Sequence, residues 1–210
     1  MGPRWSPQGY RRDMNRRALR STMRVALAPA APVRRVPDPP ARSGGSSAPL
    51  REAARLDGSL DYDGVFGIVR AAVRRALGIE RPGLGLALSD LPPGLGAYWQ
   101  VTGNVIVLNE GLVRTMRARA ESLREFNSFV YVILAHEYLH ALGYLDEGSV
   151  RPVTAQVTRA AFGPDHPATR MAEGDLWRMY PFLASAPGGN GQRLRIVPGF
   201  DSGSTATYIR

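Results

Sequence analysis

The sequence contains no cysteine and no lysine, and it has only three histidines among its 210 residues. Without cysteine the chain can form neither a disulfide bond nor a metal site with thiolate ligands, and this composition is compatible with the cytoplasm, where we expect the protein. All 27 basic residues are arginine, which we interpret as the coding bias of a GC-rich genome. The chain also lacks an apolar run long enough to cross a bilayer, so we expect no membrane span.

Two of the three histidines lie four residues apart in the pentad His136-Glu137-Tyr138-Leu139-His140. The neighbouring residues are uncharged, which predicts a helix packed inside the domain. On a helix, residues four apart share one face, so both imidazoles can reach a single metal ion. Glu137 lies about 100° round the helix, where its carboxylate can act as a general base without being a ligand. This H-E-x-x-H pattern indicates a catalytic zinc site.

The pentad and its surroundings resemble the small zincin-type zinc metallopeptidases, either metzincin-like or minigluzincin-like, over roughly residues 60–183. The resemblance implies an α+β fold, in which a small mixed or antiparallel sheet packs on helices and the active-site helix carries the pentad. It implies Zn²⁺ as cofactor and a peptide or protein as substrate, hydrolysed by zinc-activated water with Glu137 as general base. It also implies a strand at the sheet edge that pairs with extended substrate, which we expect at residues 104–108.

The third metal ligand stays open between three places. His166 is the only other histidine of the chain, and its proline-bounded loop could aim the side chain at the metal. Asp146 ends the run from His136 in the extended metzincin pattern, with Gly143 at the turn that would bring the chain back. In the gluzincin pattern a downstream glutamate completes the site, and the glutamates available here are Glu147 and Glu173.

The resemblance also implies a side chain that stabilises the oxyanion formed during hydrolysis. A tyrosine or an arginine can take this role, but spacing along the sequence does not choose among the candidates. They are Tyr138, Tyr144, Arg170 and Tyr180.

Hydrophobic periodicity and turn residues predict the remaining elements of the domain. Thr102-Gly103 joins two strand-like segments and predicts a β-hairpin. We expect helices at about 62–77, 110–119, 124–144, 149–161 and 168–183, and strands at 84–88, 97–101, 104–108 and 194–197.

Charge and composition divide the chain into three parts. Residues 1–50 form a basic arm and linker, with ten arginines against two acidic residues. We expect residues 51–185 to form the metallopeptidase domain that the resemblance to zincins implies, and residues 186–210 to form a C-terminal tail rich in Gly, Ser and Pro. The arm could bind nucleic acid or an acidic partner. Two alternative functions therefore remain: a protease tethered to nucleic acid by the arm, and a non-catalytic or latent zincin-fold binding protein.

Overall fold

Six helices and a four-stranded sheet make up the part of the chain that the computed structural model describes, residues 55–201. The basic arm predicted for residues 1–50 lies outside this range. In chain order the elements are α1 (Tyr62–Leu77), β1 (Gly85–Ser89), β2 (Ala97–Trp99), β3 (Val105–Asn109), α2 (Glu110–Arg119), α3 (Leu123–Ala141), α4 (Glu147–Phe162), α5 (Pro167–Glu173), α6 (Leu176–Met179), a 3₁₀ turn (Pro181–Ser185) and β4 (Leu194–Ile196).

The sheet has the strand order β2-β3-β1-β4 and is mixed. Strands β1 and β3 run parallel, whereas β2 pairs antiparallel with β3 and β4 pairs antiparallel with β1. The predicted α+β class with a small mixed sheet is thereby confirmed. The expected edge strand at residues 104–108 is wrong, because β3 lies inside the sheet. The edge on the hairpin side is β2.

The hydrophobic core lies between the helices and one face of the sheet. Side chains that alternate along β1 and β3 point into it, and helices α1, α3 and α4 supply the opposite wall. The other sheet face carries Ala87 and Val107, which pack against Leu91 and Leu95 of the loop after β1. The alternation of sides along each strand explains why both faces bury apolar residues.

Helix α3, which carries the pentad, runs through the middle of this core. Ser122 begins it by accepting the Glu125 N–H, and the Glu125 side chain accepts the Glu121 N–H in return. These bonds satisfy one N–H group of the first helical turn and the N–H group of the residue before the N-cap. Every residue from Asn127 to Ala135 is buried. Within residues 55–201, no helix is long and apolar enough to cross a membrane.

The last third of the chain differs from the predicted pattern. Helix α4 begins at Glu147, two residues before the predicted start at residue 149, and has Asp146 as its N-cap. The single helix predicted for 168–183 is divided, because a break at Gly174 and Asp175 ends α5 and starts α6. A Cβ atom at position 174 would lie 2.8 Å from the Arg170 carbonyl oxygen, so the chain at the end of α5 fits only glycine.

Part of the predicted C-terminal tail belongs to the fold. Strand β4 pairs with β1, and the Phe200 ring stacks on Phe66 with 4.6 Å between centroids. The buried Asp201 carboxylate pairs with Arg70 and accepts the backbone N–H groups of Gly83 and Leu84. These contacts fasten residues 194–201 to α1 and to the loop before β1.

Candidate metal centre

The last two turns of α3 bring the pentad histidines together on one helix face. The two rings are 4.8 Å apart between centroids, and the Nε2 atoms of His136 and His140 are separated by 3.2 Å. Both side chains are mostly buried, at 17 % and 15 % exposure. The expected pairing of the two imidazoles therefore follows from the helical geometry of the pentad.

Glu147 joins the histidines from the next helix. After α3 ends at Ala141, Gly143 takes a left-handed conformation with φ of 104°, which turns the chain toward the start of α4. This turn places the Glu147 carboxylate oxygens 3.5 Å from His136 Nε2 and 3.5 Å from His140 Nε2. Within residues 55–201, His136, His140 and Glu147 are the one group of three potential ligands close enough to hold a metal ion.

A backbone carbonyl orients the His140 ring. His140 Nδ1 lies 2.6 Å from the Tyr144 carbonyl oxygen, which can only accept, so Nδ1 donates there and Nε2 is the ring nitrogen that faces the group. Burial lowers the pKa of His140, but the hydrogen bond with Glu147, the charge of Glu137 and the Tyr144 carbonyl outweigh it, and the pKa is raised overall. The ring is thus arranged as metal-ligating histidines usually are.

Glu137 is buried beside the group, with 5 % of its surface exposed. Its Oε2 accepts the backbone N–H of Trp99 at 2.8 Å, which links the pentad to edge strand β2. A buried carboxylate needs such a donor, because a charge without partners is costly away from water. The contact fixes one oxygen of the predicted general base against the sheet.

Arg151, which the sequence patterns did not predict, also lies next to this group. Its Nε lies 3.5 Å from Glu147 Oε2, the oxygen that also faces His136. The four-residue spacing from Glu147 along α4 is the signal that could have found it, since such residues lie on one helix face. Arg151 is otherwise exposed, so the group has a cationic side chain at its solvent border.

The structure does not bring His166 to the group. His166 is the N-cap of α5, where its Nδ1 accepts the Ala168 N–H, and its ring stacks on Phe162 with 4.7 Å between centroids. Its charged neighbours Asp57 and Arg124 lie near the start of α3. At 1.5 Å per residue, Arg124 is about 18 Å along the helix axis from His136.

The other ligand candidates also have partners elsewhere. Asp146 caps α4, and its Oδ2 accepts from Ser149 N and Oγ at 2.9 and 3.0 Å. Glu173 makes a two-point ion pair with Arg159 at the surface. Neither carboxylate belongs to the group of His136, His140 and Glu147.

Two tyrosines from the oxyanion candidates are held away from the group by other bonds. The Tyr138 hydroxyl is bonded to the backbone of Arg81, and the Tyr180 hydroxyl donates to Glu125 near the start of α3.

Comparisons of the chain with protein-family models, with curated proteins and with solved structures found no match. Function is therefore inferred from the chemistry of the site.

Proposed function

We propose that the protein is a zinc-dependent peptidase of the zincin type. The observation that carries the proposal is the joining of Glu147 to the pentad histidines, which supplies two imidazoles and one carboxylate around a single point. Catalytic zinc sites use three protein ligands of these kinds and keep a fourth position for water or substrate. His136, His140 and Glu147 would be the ligands, and the alternatives His166, Asp146 and Glu173 would not.

The spacing of the donor atoms fits zinc. Ligands bound at about 2.0–2.2 Å in a tetrahedral arrangement lie about 3.3–3.6 Å apart. The two Nε2 atoms are 3.2 Å apart, and each lies 3.5 Å from a different oxygen of the Glu147 carboxylate, Oε2 for His136 and Oε1 for His140. The Tyr144 carbonyl that orients His140 is the kind of outer partner that such sites have.

In the proposed reaction the protein's own groups handle protons and orientation. When bound, zinc supplies a Lewis acid that polarises a carbonyl and lowers the pKa of water. The Glu137 carboxylate, held at Oε2 by the Trp99 N–H, takes a proton from the attacking water and delivers it to the leaving amine. Strand β2 is the sheet edge next to this carboxylate, so it is the strand on which an extended peptide would lie.

The test compares the wild type with Glu137→Gln after reconstitution with zinc. We expect the wild type to cleave fluorescein-labelled casein, and the variant to retain full zinc content while its rate falls by about 10²–10⁴-fold, the usual contribution of a general base. A chelator should abolish wild-type cleavage, and added zinc should restore it. Equal cleavage by both proteins would refute the assignment of Glu137.

The wild type and Glu137→Gln also distinguish the proposed peptidase from the alternative, a zincin-fold binding protein. A purely structural zinc site is closed by four protein ligands and has no use for a carboxylate beside the metal. A zinc-loaded wild type that cleaves neither casein nor a quenched-fluorescence peptide library would favour the binding protein. The nucleic-acid tether depends on residues 1–50, outside the described range, and stays a prediction.

A further inference from the structure

The backbone N–H of Trp99, which donates to Glu137, is not used in the hydrogen bonds between β2 and β3. Residues opposite each other in an antiparallel pair alternate between hydrogen-bonded and non-hydrogen-bonded positions. Gln100 N–H donates to the Val105 carbonyl at 3.3 Å, so the adjacent pair of Trp99 and Ile106 is the non-bonded one. The Trp99 N–H therefore points off the outer edge of β2, toward the pentad helix and Glu137.

Strand β2 is short and pairs with only one other strand, β3. Its pairing in the sheet therefore does not by itself fix its distance from α3. It has three residues and ends in the turn where Thr102 adopts φ of 70°. Two-stranded hairpins are weakly stable by themselves. The bond from Trp99 to Glu137 keeps its 2.8 Å length only while the hairpin end stays close to the last turns of the helix.

Arg81 joins these two parts. From the loop before β1, its guanidinium donates to the Ala141 carbonyl at the end of α3 at 2.8 Å, and to Gly103 O and Asn104 Oδ1 of the hairpin turn at 3.1 and 2.6 Å. It also lies over the Trp99 ring, 5.4 Å from the centroid. One rigid fork therefore contacts both the helix end and the hairpin turn.

A second set of bonds fixes Arg81 and Trp99 themselves. The Arg81 N–H donates to the Tyr138 hydroxyl at 2.8 Å, and Tyr138 is a residue of the pentad. The Trp99 indole Nε1 donates to the Gly103 carbonyl at 3.0 Å, the acceptor that Arg81 also uses. Within residues 55–201, all the hydrogen-bond acceptors of the Arg81 side chain are uncharged, so the arrangement depends on the directions of its N–H groups.

We infer that Arg81 is a positioning residue for Glu137: it ties the β2–β3 turn to the end of α3, so that the Trp99 amide holds the carboxylate in place. The inference rests on the proposed function for its catalytic consequence, but its geometric part stands on the contacts above. A ligand or base displaced by about 1 Å can cost about 10²-fold in rate, so loss of the restraint should slow turnover.

The spectroscopic test follows the Trp99 amide resonance in ¹H–¹⁵N spectra of the full chain. Glu137→Ala removes the charged acceptor, so its spectrum shows in which direction the Trp99 resonance moves when the hydrogen bond is lost. We expect Arg81→Gln to move this resonance in the same direction, and Arg81→Lys to do so as well, because an ammonium cannot reproduce the fork. The double variant with Glu137→Ala should move it no further than Glu137→Ala alone.

Arg117→Gln is the matched control. Arg117 also lies over an aromatic ring, 4.7 Å from the centroid of Phe126, but at the opposite end of α3 from the pentad. We expect the Trp99 amide to keep its wild-type position in this variant. If Arg81→Gln does not fold, Asn104→Ala removes one acceptor only and should give a smaller shift in the same direction.

The kinetic arm uses a quenched-fluorescence peptide and zinc-loaded protein. We expect Arg81→Gln to keep its zinc, to lower kcat by about tenfold or more, and to leave KM nearly unchanged. An unmoved Trp99 amide in folded Arg81 variants would overturn the inference, and so would a moved amide with wild-type kcat. If the wild type cleaves no peptide, the proposed function fails, whereas the amide shift still decides whether Arg81 positions Glu137.

Discussion

Glu147 Oε2 lies 3.5 Å from His136 Nε2, although the two residues belong to different helices joined by a turn at Gly143. The contact depends on where α4 begins, because Glu147 is its first residue. A carboxylate at the start of a helix is stabilised by the exposed N–H groups and the helix dipole. The same position lets it reach back to the end of α3, so one turn both starts a helix and completes the candidate site.

Removal of the Glu147 carboxylate should weaken zinc binding. In Glu147→Ala we expect zinc affinity to fall by more than about 10²-fold, since even groups that only orient the ligands are worth about 10–100-fold. Competition with a fluorescent chelator measures the change. Glu173→Ala is the matched control, because that glutamate pairs with Arg159 at the surface. Unchanged affinity in Glu147→Ala, or a loss in His166→Ala instead, would contradict the assignment of the ligand.

The local part of the site could be predicted from the sequence, and the part that spans two helices could not. The spacing of His136 and His140 fixes their common face as soon as the segment is helical. The sequence could not single out Glu147 among the acidic candidates. Its approach to the two histidines requires the φ of 104° at Gly143 and a helix that starts at 147. Asp146 and Ser149 are both good caps by residue type, and tertiary contacts select between them.

The elements of the sheet were predictable, whereas their order was not. The hairpin around Thr102-Gly103 is a local feature and is confirmed. The expectation that its second strand is the sheet edge failed, because β1 pairs with that strand in parallel through a long connection. Strand order depends on such distant pairings, on which hydrophobic periodicity carries no information. The residue that hydrogen-bonds to Glu137 is consequently Trp99 of β2, and not a residue of 104–108.

Two glycines test how tightly the segment after the 3₁₀ turn packs. A Cβ atom on Gly111 in α2 would lie 1.9 Å from the Pro187 carbonyl oxygen, whereas one on Gly67 in α1 would meet nothing within 4 Å. Gly67→Ala should therefore stabilise the protein by about 0.5–1 kcal/mol, through the lower conformational entropy of its unfolded chain. Gly111→Ala should destabilise it by about 1–3 kcal/mol, because backbone must move.

Urea unfolding of the two alanine variants measures these changes in the free energy of unfolding. Gly67→Ala serves as the control for helix propensity, since both substitutions place alanine in a helix. Equal stabilisation by both would mean that Pro187 does not lie against α2, and that residues 186–189 are the tail suggested by their composition.

The buried Asp201 carboxylate should be important for stability. It is 2 % exposed, pairs with Arg70 and accepts two backbone N–H groups from the loop before β1. Asp201→Asn keeps the shape but removes the buried charge that pairs with Arg70, which retains Glu80 as its second partner, so we expect a loss of about 2 kcal/mol in the free energy of unfolding. Asp175→Asn, at an exposed N-cap where asparagine is equally suitable, should have almost no effect. Equal stability of both variants would exclude an anchoring role for Asp201.

His166 should make stability depend on pH below neutrality. Burial lowers its pKa to about 4, helped by the charges of Arg124 and Arg170 and opposed by Asp57. In the unfolded chain the value returns to about 6.5, so the unfolded state binds the proton first. Its contribution is complete above pH 6.5 and is lost as the pH falls toward 4, by at most about 3 kcal/mol.

His166→Asn isolates this contribution, because asparagine can also accept the Ala168 N–H at the N-cap but does not titrate. The free energy of unfolding is measured in urea at several pH values between 7 and 4.5 for both proteins. We expect the wild type to lose its advantage over the variant as the pH falls, since protonation at Nδ1 would replace the acceptor of that cap by a donor. Parallel pH profiles would show that His166 titrates as an exposed histidine does and is not buried against Phe162.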